Sequence, residues 1–354
     1  METKKGEPFS AEKLKWEQAK EVPKDLDEVK KALEELAGLN KSYDVKFREM
    51  VFAGRRVGLY YYNGFVREDI LTEVLKRLSY VDREQIMPSV LKNFLEKFIP
   101  HIQVEVVHSM PEMINQVLAG NSALFIENES SALILDSKNY PMRGMEEPAL
   151  EKVVRGPRDG FVESVVVNQI LVRRRIRDPR LTFEIMQVGT RTLTDVCIAY
   201  ISDIVDMNLV ESIKDKIKNV KIDGIPLGDK ELEEIIVGKN WNPYPLVRYS
   251  ERPDVIAVHL LEGHVVVFVD NSPSAMIMPT TVFHLVQHAE EYRQEPFIGT
   301  YLRWIRFFGI WASVFLLPLW FLFVTEPELK PEALDFIGPR EESKLPLLPQ
   351  FLLA

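Results

Sequence analysis

Between positions 25 and 37 the apolar side chains Leu26, Val29, Leu33 and Leu36 are separated by charges, the spacing of one helical face. An amphipathic helix over 25–37 follows, preceded by a Lys- and Glu-rich arm. Its stripe can dock on a partner subunit or pack on its own domain. From Val57 the pattern changes to short apolar runs, and the runs recur. Residues 57–74 align without a gap on 196–213, so that Val57 and Val196 are 139 positions apart, and both blocks read strand, turn, helix. Residues 120–135 align on 263–278, 143 positions apart from Gly120 to Gly263. In each copy a Pro-acid pair, Pro111-Glu112 or Pro253-Asp254, opens a short helix that ends at the glycine. Two apolar strands follow, 123–126 with 132–135 and 265–269 with 275–278, joined by polar hairpin turns.

Two blocks repeated in the same order at nearly one offset mark an internal duplication. The fold class expected is α/β, with two similar small subdomains joined by a helical linker and followed by a transmembrane helix. The expected boundaries are a charged arm with its amphipathic helix over 1–45, subdomains over 46–150 and 181–295, and a connecting helix segment over 151–180. The repeated blocks themselves cover 46–141 and 181–282. One large doubly wound domain, the alternative, would not demand the repeat.

In the connector, Gly156 and Pro157 mark a turn and Asp159 suits an N-cap. A helix is expected from Gly160 to Arg177, before Pro179 stops it. Arg173, Arg174, Arg175, Arg177 and Arg180 gather at its C-terminal end, where cations complement the helix dipole. They also suit contact with an anion or lipid headgroup, or an ion pair between subunits.

Residues 307–324 carry no charge and no polar side chain larger than Ser313, and the apolar run extends back to Tyr301. Such a run nearly matches a hydrocarbon core of about 30 Å, so a span is expected over 301–325, with a tail over 326–354. Trp304, Trp311 and Trp320 suit the headgroup belts, Arg303 and Arg306 suit lipid phosphates, and Pro318 is tolerated within the span. The alternative is a core helix, with Trp311 and Phe315 packed inside. Residues 1–46 have no apolar core of the kind a signal peptide needs, so the preceding domain is expected to stay in the cytoplasm. The arginines before the span and Glu326 and Glu328 after it agree with that orientation.

Composition narrows the function. The 354 residues are 46% hydrophobic and 27% charged, enough for about two domains, and the net charge of -9 argues against nucleic acid as partner. The single cysteine, Cys197, lies in an apolar strand and reads as core. His284 and His288 share a helical face near Glu290 and Glu291, but no third ligand accompanies them. His259 and His264 flank Gly263 without a partner carboxylate. The chain contains no G-x-S-x-G, P-loop or G-x-G-x-x-G, so no enzyme and no cofactor is expected.

The sequence E-K-V-V-R-G-P-R-D-G-F-V-E over 151–163 contains Gly156, Pro157, Arg158, Asp159 and Gly160. R-R-R-I-R-D-P-R-L over 173–181 contains the arginines and Asp178, and V-G-x-R-x-x-T-D spans 188–195. Further blocks are I-D-G-I at 222–225, E-R-P-D (Glu251, Arg252, Pro253, Asp254), L-L-E-G at 260–263 and I-G-T-Y-L-R at 298–303. Together they resemble the A-subunit family of bacterial spore germinant receptors. The resemblance implies a protein of the spore inner membrane whose N-terminal domain faces the spore core. It also implies an oligomer, a pentamer in the family, that conducts ions beside other germination membrane subunits. The residues named in the 156–160 motif, the arginines with Asp178, and Glu251 to Asp254 are the candidate assembly residues, and Arg303, Trp304 and Arg306 are the candidate membrane-interface residues. Family members continue through several more membrane helices, and L-P-L-L-P-Q-F-L-L-A at 345–354 reads as the opening of the next one. Two rivals stand beside a conformational relay to a channel. One is a tethered sensor that binds an amino acid or dipicolinate in the cleft between the copies, and the other is a scaffold that only recruits germination proteins.

Overall fold

The computed structural model describes residues 21–99, 103–139, 157, 159–238, 241–242, 244–281, 284, 296–329 and 331. The N-terminal arm before residue 21, the stretch 140–156, His288 and the tail after 331 lie outside them. The chain divides into two compact units, one holding residues 1–152 and 157–282 and the other 153–156 and 283–354.

In the larger unit the first half runs α1 (Leu26–Leu36), β1 (Val45–Phe52), β2 (Arg55–Tyr62) and α2 (Glu68–Leu78). Short helical turns over 83–98 lead to β3 (Val104–Val107), α3 (Met110–Leu118), β4 (Ser122–Ile126) and β5 (Ala132–Leu135). The second half runs α4 (Val165–Arg175), β6 (Leu181–Val188), β7 (Thr194–Ile201), α5 (Met207–Asn219) and α6 (Asp229–Val237). It ends with β8 (Arg248–Ser250), α7 (Pro253–Leu261), β9 (Val265–Val269) and β10 (Ala275–Met278). Each half forms a five-stranded sheet, in the orders β1-β2-β4-β5-β3 and β6-β7-β9-β10-β8. The pairings are antiparallel in both, so the duplication read from the sequence is a duplicated topology.

The central strands S-A-L-F-I, A-L-I-L, V-V-V-F-V and A-M-I-M are buried along their whole length. Unbroken apolar runs usually accompany parallel sheets; here helices cover both faces of an antiparallel one. Leu26, Val29 and Leu33 of α1 join Met113, Ile114 and Val117 of α3 on one face of the first sheet. Leu71, Val74 and Leu78 of α2 lie on the other. The apolar stripe of α1 is therefore used inside the chain, and Asp25 caps the helix by accepting from the Asp27 N–H at 2.9 Å. Both hairpin turns place an asparagine in the left-handed region, Asn128 at φ 69° and Asn271 at φ 66°, a conformation asparagine tolerates better than most residues.

Four strands, β1, β3, β6 and β8, lie outside the elements that the sequence pattern predicts. They are the sheet edges, where one side of the ladder is open and polar residues interrupt the apolar alternation, as in V-K-F-R-E-M-V-F of β1. The connecting helix is also shorter than expected, Val165–Arg175 instead of 160–177, with Ser164 and not Asp159 at the N-cap position. It has a counterpart, since α1 and α4 each have 11 residues and each precedes the first strand of its sheet. The helix expected to be a linker is thus the opening helix of the second repeat.

The smaller unit contains α8 (Pro296–Thr325), 30 residues long and so about 45 Å, with Pro318 inside it. Its apolar stretch has no buried share. Trp311 is 60% and Phe315 51% exposed, which is the pattern of a lipid-facing helix and not of a core helix.

Candidate functional site

The structure gathers the motifs around 157–160, 173–180 and 251–254 at α4. V-V-V-N-Q-I-L-V-R-R-R has no polar stripe, and Val165, Asn168, Gln169, Ile170, Leu171, Val172 and Arg173 are all buried. A helix without a separate polar face is covered around most of its circumference, and here only Arg174 is exposed. Val166 and Ile170 pack into the core of the first repeat, although α4 belongs to the second. Gly64 permits this approach, because a Cβ there would lie 2.3 Å from the Ile170 Cδ1, and its φ of +85° favours glycine independently.

Arg173 is the most enclosed charge of this seam. Its side chain is 1% exposed and that of Asp44, on the first repeat, 2%. The guanidinium donates from Nε to Asp44 Oδ2 at 2.8 Å and from Nη2 to Asp44 Oδ1 at 3.0 Å, a two-pronged pair. It also donates to the carbonyls of Asp178 at 3.0 Å and Leu181 at 2.8 Å. Ser42 completes the cluster by donating to Asp44 Oδ1 at 2.5 Å and accepting from the Phe183 N–H at 3.0 Å. The rings of Tyr62 and Phe183 each lie 5.0 Å from the guanidinium carbon, within cation–π range. Arg173 therefore ties the start of one sheet to the start of the other.

Tyr60 and Tyr62 are fully buried beneath this pair, with ring centroids 6.0 Å apart. Burial pushes the Tyr62 hydroxyl from its ordinary 10 up to about 12, with Arg173 opposing and Asp44 reinforcing the rise. Burial pushes Tyr60 well up too. The unfolded chain releases these protons first, so their contribution to stability is complete below pH 10. For Tyr62 alone about 3 kcal/mol is lost as pH rises from 10 through 12. A titration following tyrosinate absorbance together with circular dichroism is expected to show late ionisation and unfolding in one step. Ionisation of every tyrosine near pH 10 in a folded domain contradicts it.

The lead-in to α4 is bound just as closely. The Asn168 side chain accepts from the Val162 N–H at 2.8 Å and donates to the Val162 carbonyl at 2.6 Å, which keeps residues before 165 extended. The Asp270 carboxylate accepts from the Val165 N–H at 3.2 Å, so the cap comes from the β9–β10 turn, 105 residues away. Phe161 donates to the Glu251 carbonyl at 2.9 Å. Arg252, with no exposed surface, donates to both Asp254 oxygens at 3.1 and 3.0 Å and to the Pro157 carbonyl at 3.1 Å. Asp159 pairs with Arg175, and Arg180 with Asp178 and Asp203 at 2.6 and 2.5 Å. G-P-R-D-G, the arginine run and E-R-P-D are thus parts of one interlocked region. Gly160 is buried and Pro157 exposed; Gly156 and Arg158 lie outside the described residues. Of the five arginines, Arg173, Arg175 and Arg180 pair with carboxylates of the chain, and Arg174 and Arg177 present exposed surface. The dipole reading thus misses the main role of Arg173, and no local signal points from it to Asp44.

V-G-x-R-x-x-T-D and I-D-G-I also meet. Thr190 donates to the Ile222 carbonyl at 3.0 Å and Arg191 to the Asp223 carbonyl at 2.8 Å, and a Cβ on Gly189 would lie 2.7 Å from Gly224 Cα. Beside them a cavity of 770 Å³ is lined by Thr192, Asp229, Lys230, Glu251, Asp270 and other second-repeat residues. It lies within the second repeat, whereas at the seam between the copies stands α4. His259 is fully buried; its Nε2 faces the Arg248 Nη1 at 3.3 Å and its Nδ1 the Val255 carbonyl at 3.1 Å. Arginine only donates, so Nε2 accepts and Nδ1 carries the hydrogen. Cys197 is buried and its thiol pKa is pushed up by burial, in keeping with a core role.

On α8, Arg303, Trp304 and Arg306 sit in the first turns, with Trp304 71% exposed. A duplicated α/β head and a membrane-length helix together define a membrane-associated protein with a two-repeat head. Residues 31–354 match the family described as Bacillus/Clostridium GerA spore germination protein, and the chain belongs to that family. It is 48% identical to Stage V sporulation protein AF of Bacillus subtilis over 317 residues, covering 90% of this chain and 64% of that protein. It is 32% identical to the B. subtilis membrane protein YfkQ over 92% of this chain and 64% of the relative. With Spore germination protein GerLA of Bacillus cereus it shares 32% identity, over 81% of this chain and 58% of the other. The chain thus spans less than two thirds of the length of these relatives. The crystal structure of the N-terminal domain of the A subunit of the Bacillus megaterium germinant receptor GerK3 matches with a TM-score of 0.59 at 25% identity. The match covers 75% of this chain and 98% of that domain. Membership of this family, with α8, makes the chain a membrane-associated protein.

Proposed function

We propose that the chain provides the cytoplasmic head and first span of an A-type subunit in an ion-conducting germination complex of the spore inner membrane. The observation that carries this reading is the pairing of a GerA-family head with a helix of bilayer length that buries no face. In this reading the chain performs no chemistry. Because α4 is enclosed by both repeats and Arg173 joins them, the head moves as one body, and a shift of its contacts biases a membrane path made with neighbouring copies and other germination subunits. Such a relay requires contacts that differ between closed and open states. The copies form a homo-oligomer, a pentamer by analogy with the family, with the head on the spore-core side. The test is cation flux in liposomes containing the complete gene product together with its partner subunits. Flux that disappears when this chain is omitted supports the reading, and unchanged flux overturns it. Protease protection of the head in sealed inner-membrane vesicles of known sidedness checks the orientation.

A second reading, a tethered small-molecule sensor, is favoured by the 770 Å³ cavity of the second repeat, a size typical of ligand sites. Calorimetry with amino acids and dipicolinate distinguishes it.

A further inference from the structure

The two repeats can be matched position by position. Val45 pairs with Tyr62 as Leu181 pairs with Ile201. Asn63 donates to the Asp44 carbonyl as Ser202 does to that of Arg180. The helices α1 and α4 match in the same way, because Asn128 donates to the Lys24 carbonyl and Asn271 to that of Glu163, both at 2.8 Å. On this map Asp44 corresponds to Arg180, Gly64 to Asp203, Ile170 to Lys31 and Arg173 to Glu34.

The map exposes an unequal pair of corners. In the first repeat Phe65 and Leu118 are each 1% exposed, in the buried cluster that Ile170 of α4 joins where it packs against Gly64. Their counterparts in the second repeat, Ile204 and Leu261, are 41% and 56% exposed. Both positions are apolar in both copies, yet only one corner is covered. Stacked repeats leave uncovered, at the last repeat, the surface that each earlier one buries under its successor.

We propose that this second corner receives α1 of a second copy of the chain, placed as α4 is placed on the first corner. The argument is charge complementarity. Within the chain the contact is made by Arg173 with Asp44 and by Ile170 with Gly64. Transposed between copies, the same contact sets Glu34 against Arg180 and Lys31 against Asp203, unlike charges at both points. Arg180 and Asp203 already pair at 2.5 Å, so the four form one network, which is worth more than isolated surface pairs. The methylene stem of Lys31 lies over Ile204 and Leu261, as long basic side chains do on apolar surface. The side of α1 concerned is turned away from its own sheet: Lys31 is exposed and Glu34 half-buried. The contact is head to tail, the kind that closes into a ring when its rotation permits, and it supplies a surface for the homo-oligomer of the proposed function, on which it rests for the copies sharing a membrane.

Two differently tagged full-length chains, one Lys31→Cys and the other Asp203→Cys, are to be coexpressed and treated in membranes with a short bifunctional maleimide. The expected result is a mixed dimer at least tenfold above that from either variant alone, with Lys31→Glu reducing copurification of the tagged chains at least fivefold and Lys31→Glu with Asp203→Lys restoring it. No cross-link above background, or equal cross-linking by Lys31→Cys alone, overturns the proposal, provided that circular dichroism shows folded protein. Ion flux is measured separately, so its loss with the cross-link intact counts against the channel reading and not against this surface.

Discussion

Arg173→Leu is expected to lower the unfolding free energy of the chain by about 3–5 kcal/mol, the cost of breaking a buried ion pair by removing one partner. The loss arises from what remains. Asp44, 2% exposed, keeps only the Ser42 hydroxyl among the side-chain donors described, and the carbonyls of Asp178 and Leu181 lose their Arg173 donors. A buried carboxylate with so few donors is costly. Asp44→Leu should be similarly harmful for the converse reason. The double variant Arg173→Met with Asp44→Leu should be less destabilised than the two single losses added together, because neither charge is then left alone. Urea unfolding in detergent, followed by far-ultraviolet circular dichroism, measures all three. Arg177→Leu, at an exposed position, should stay within about 0.5 kcal/mol. A loss below 1 kcal/mol for Arg173→Leu would show that the seam contributes little to the head.

The second large effect concerns α8. Ile310→Asp together with Val314→Asp puts two carboxylates one turn apart near the middle of the span, each costing about 2.5–3.5 kcal/mol at a helix centre. The unsubstituted chain should remain in the membrane pellet after an alkaline carbonate wash, and the double variant should move largely to the supernatant. Both positions are exposed, Ile310 at 44% and Val314 at 58%, so no packed core is disturbed. Release of the unsubstituted chain by the same wash would remove the membrane assignment itself.

These effects differ in how far the sequence foreshadowed them. Burying α8 in lipid depends on composition along one continuous stretch, which any reading of hydropathy detects. The Arg173 pair joins residues 129 positions apart. In the sequence, Arg173 begins a basic run at a helix end, where the dipole offers a sufficient local explanation, and Asp44 is one acid among many near the first strand. Burial of a charge is legible only once the group enclosing it is known. The G-P-R-D-G and E-R-P-D motifs show the same limit. Their importance was visible as family resemblance, while the bonds from Arg252 to the Pro157 carbonyl and from Phe161 to the Glu251 carbonyl join segments with no periodic relation.

By itself the sequence determined the duplication, the buried central strands, the amphipathic character of α1, and the membrane-length helix. All of these follow from side-chain period and apolar content, which are properties of neighbouring residues. Only the tertiary structure decided that the supposed linker is the opening helix of the second repeat, that it fills the seam between the sheets, and that an arginine on it is paired across that seam. A helix without a polar stripe is covered around most of its circumference, but its own residues do not say by what; the enclosing groups come from both repeats, and their positions depend on the packing of the whole head.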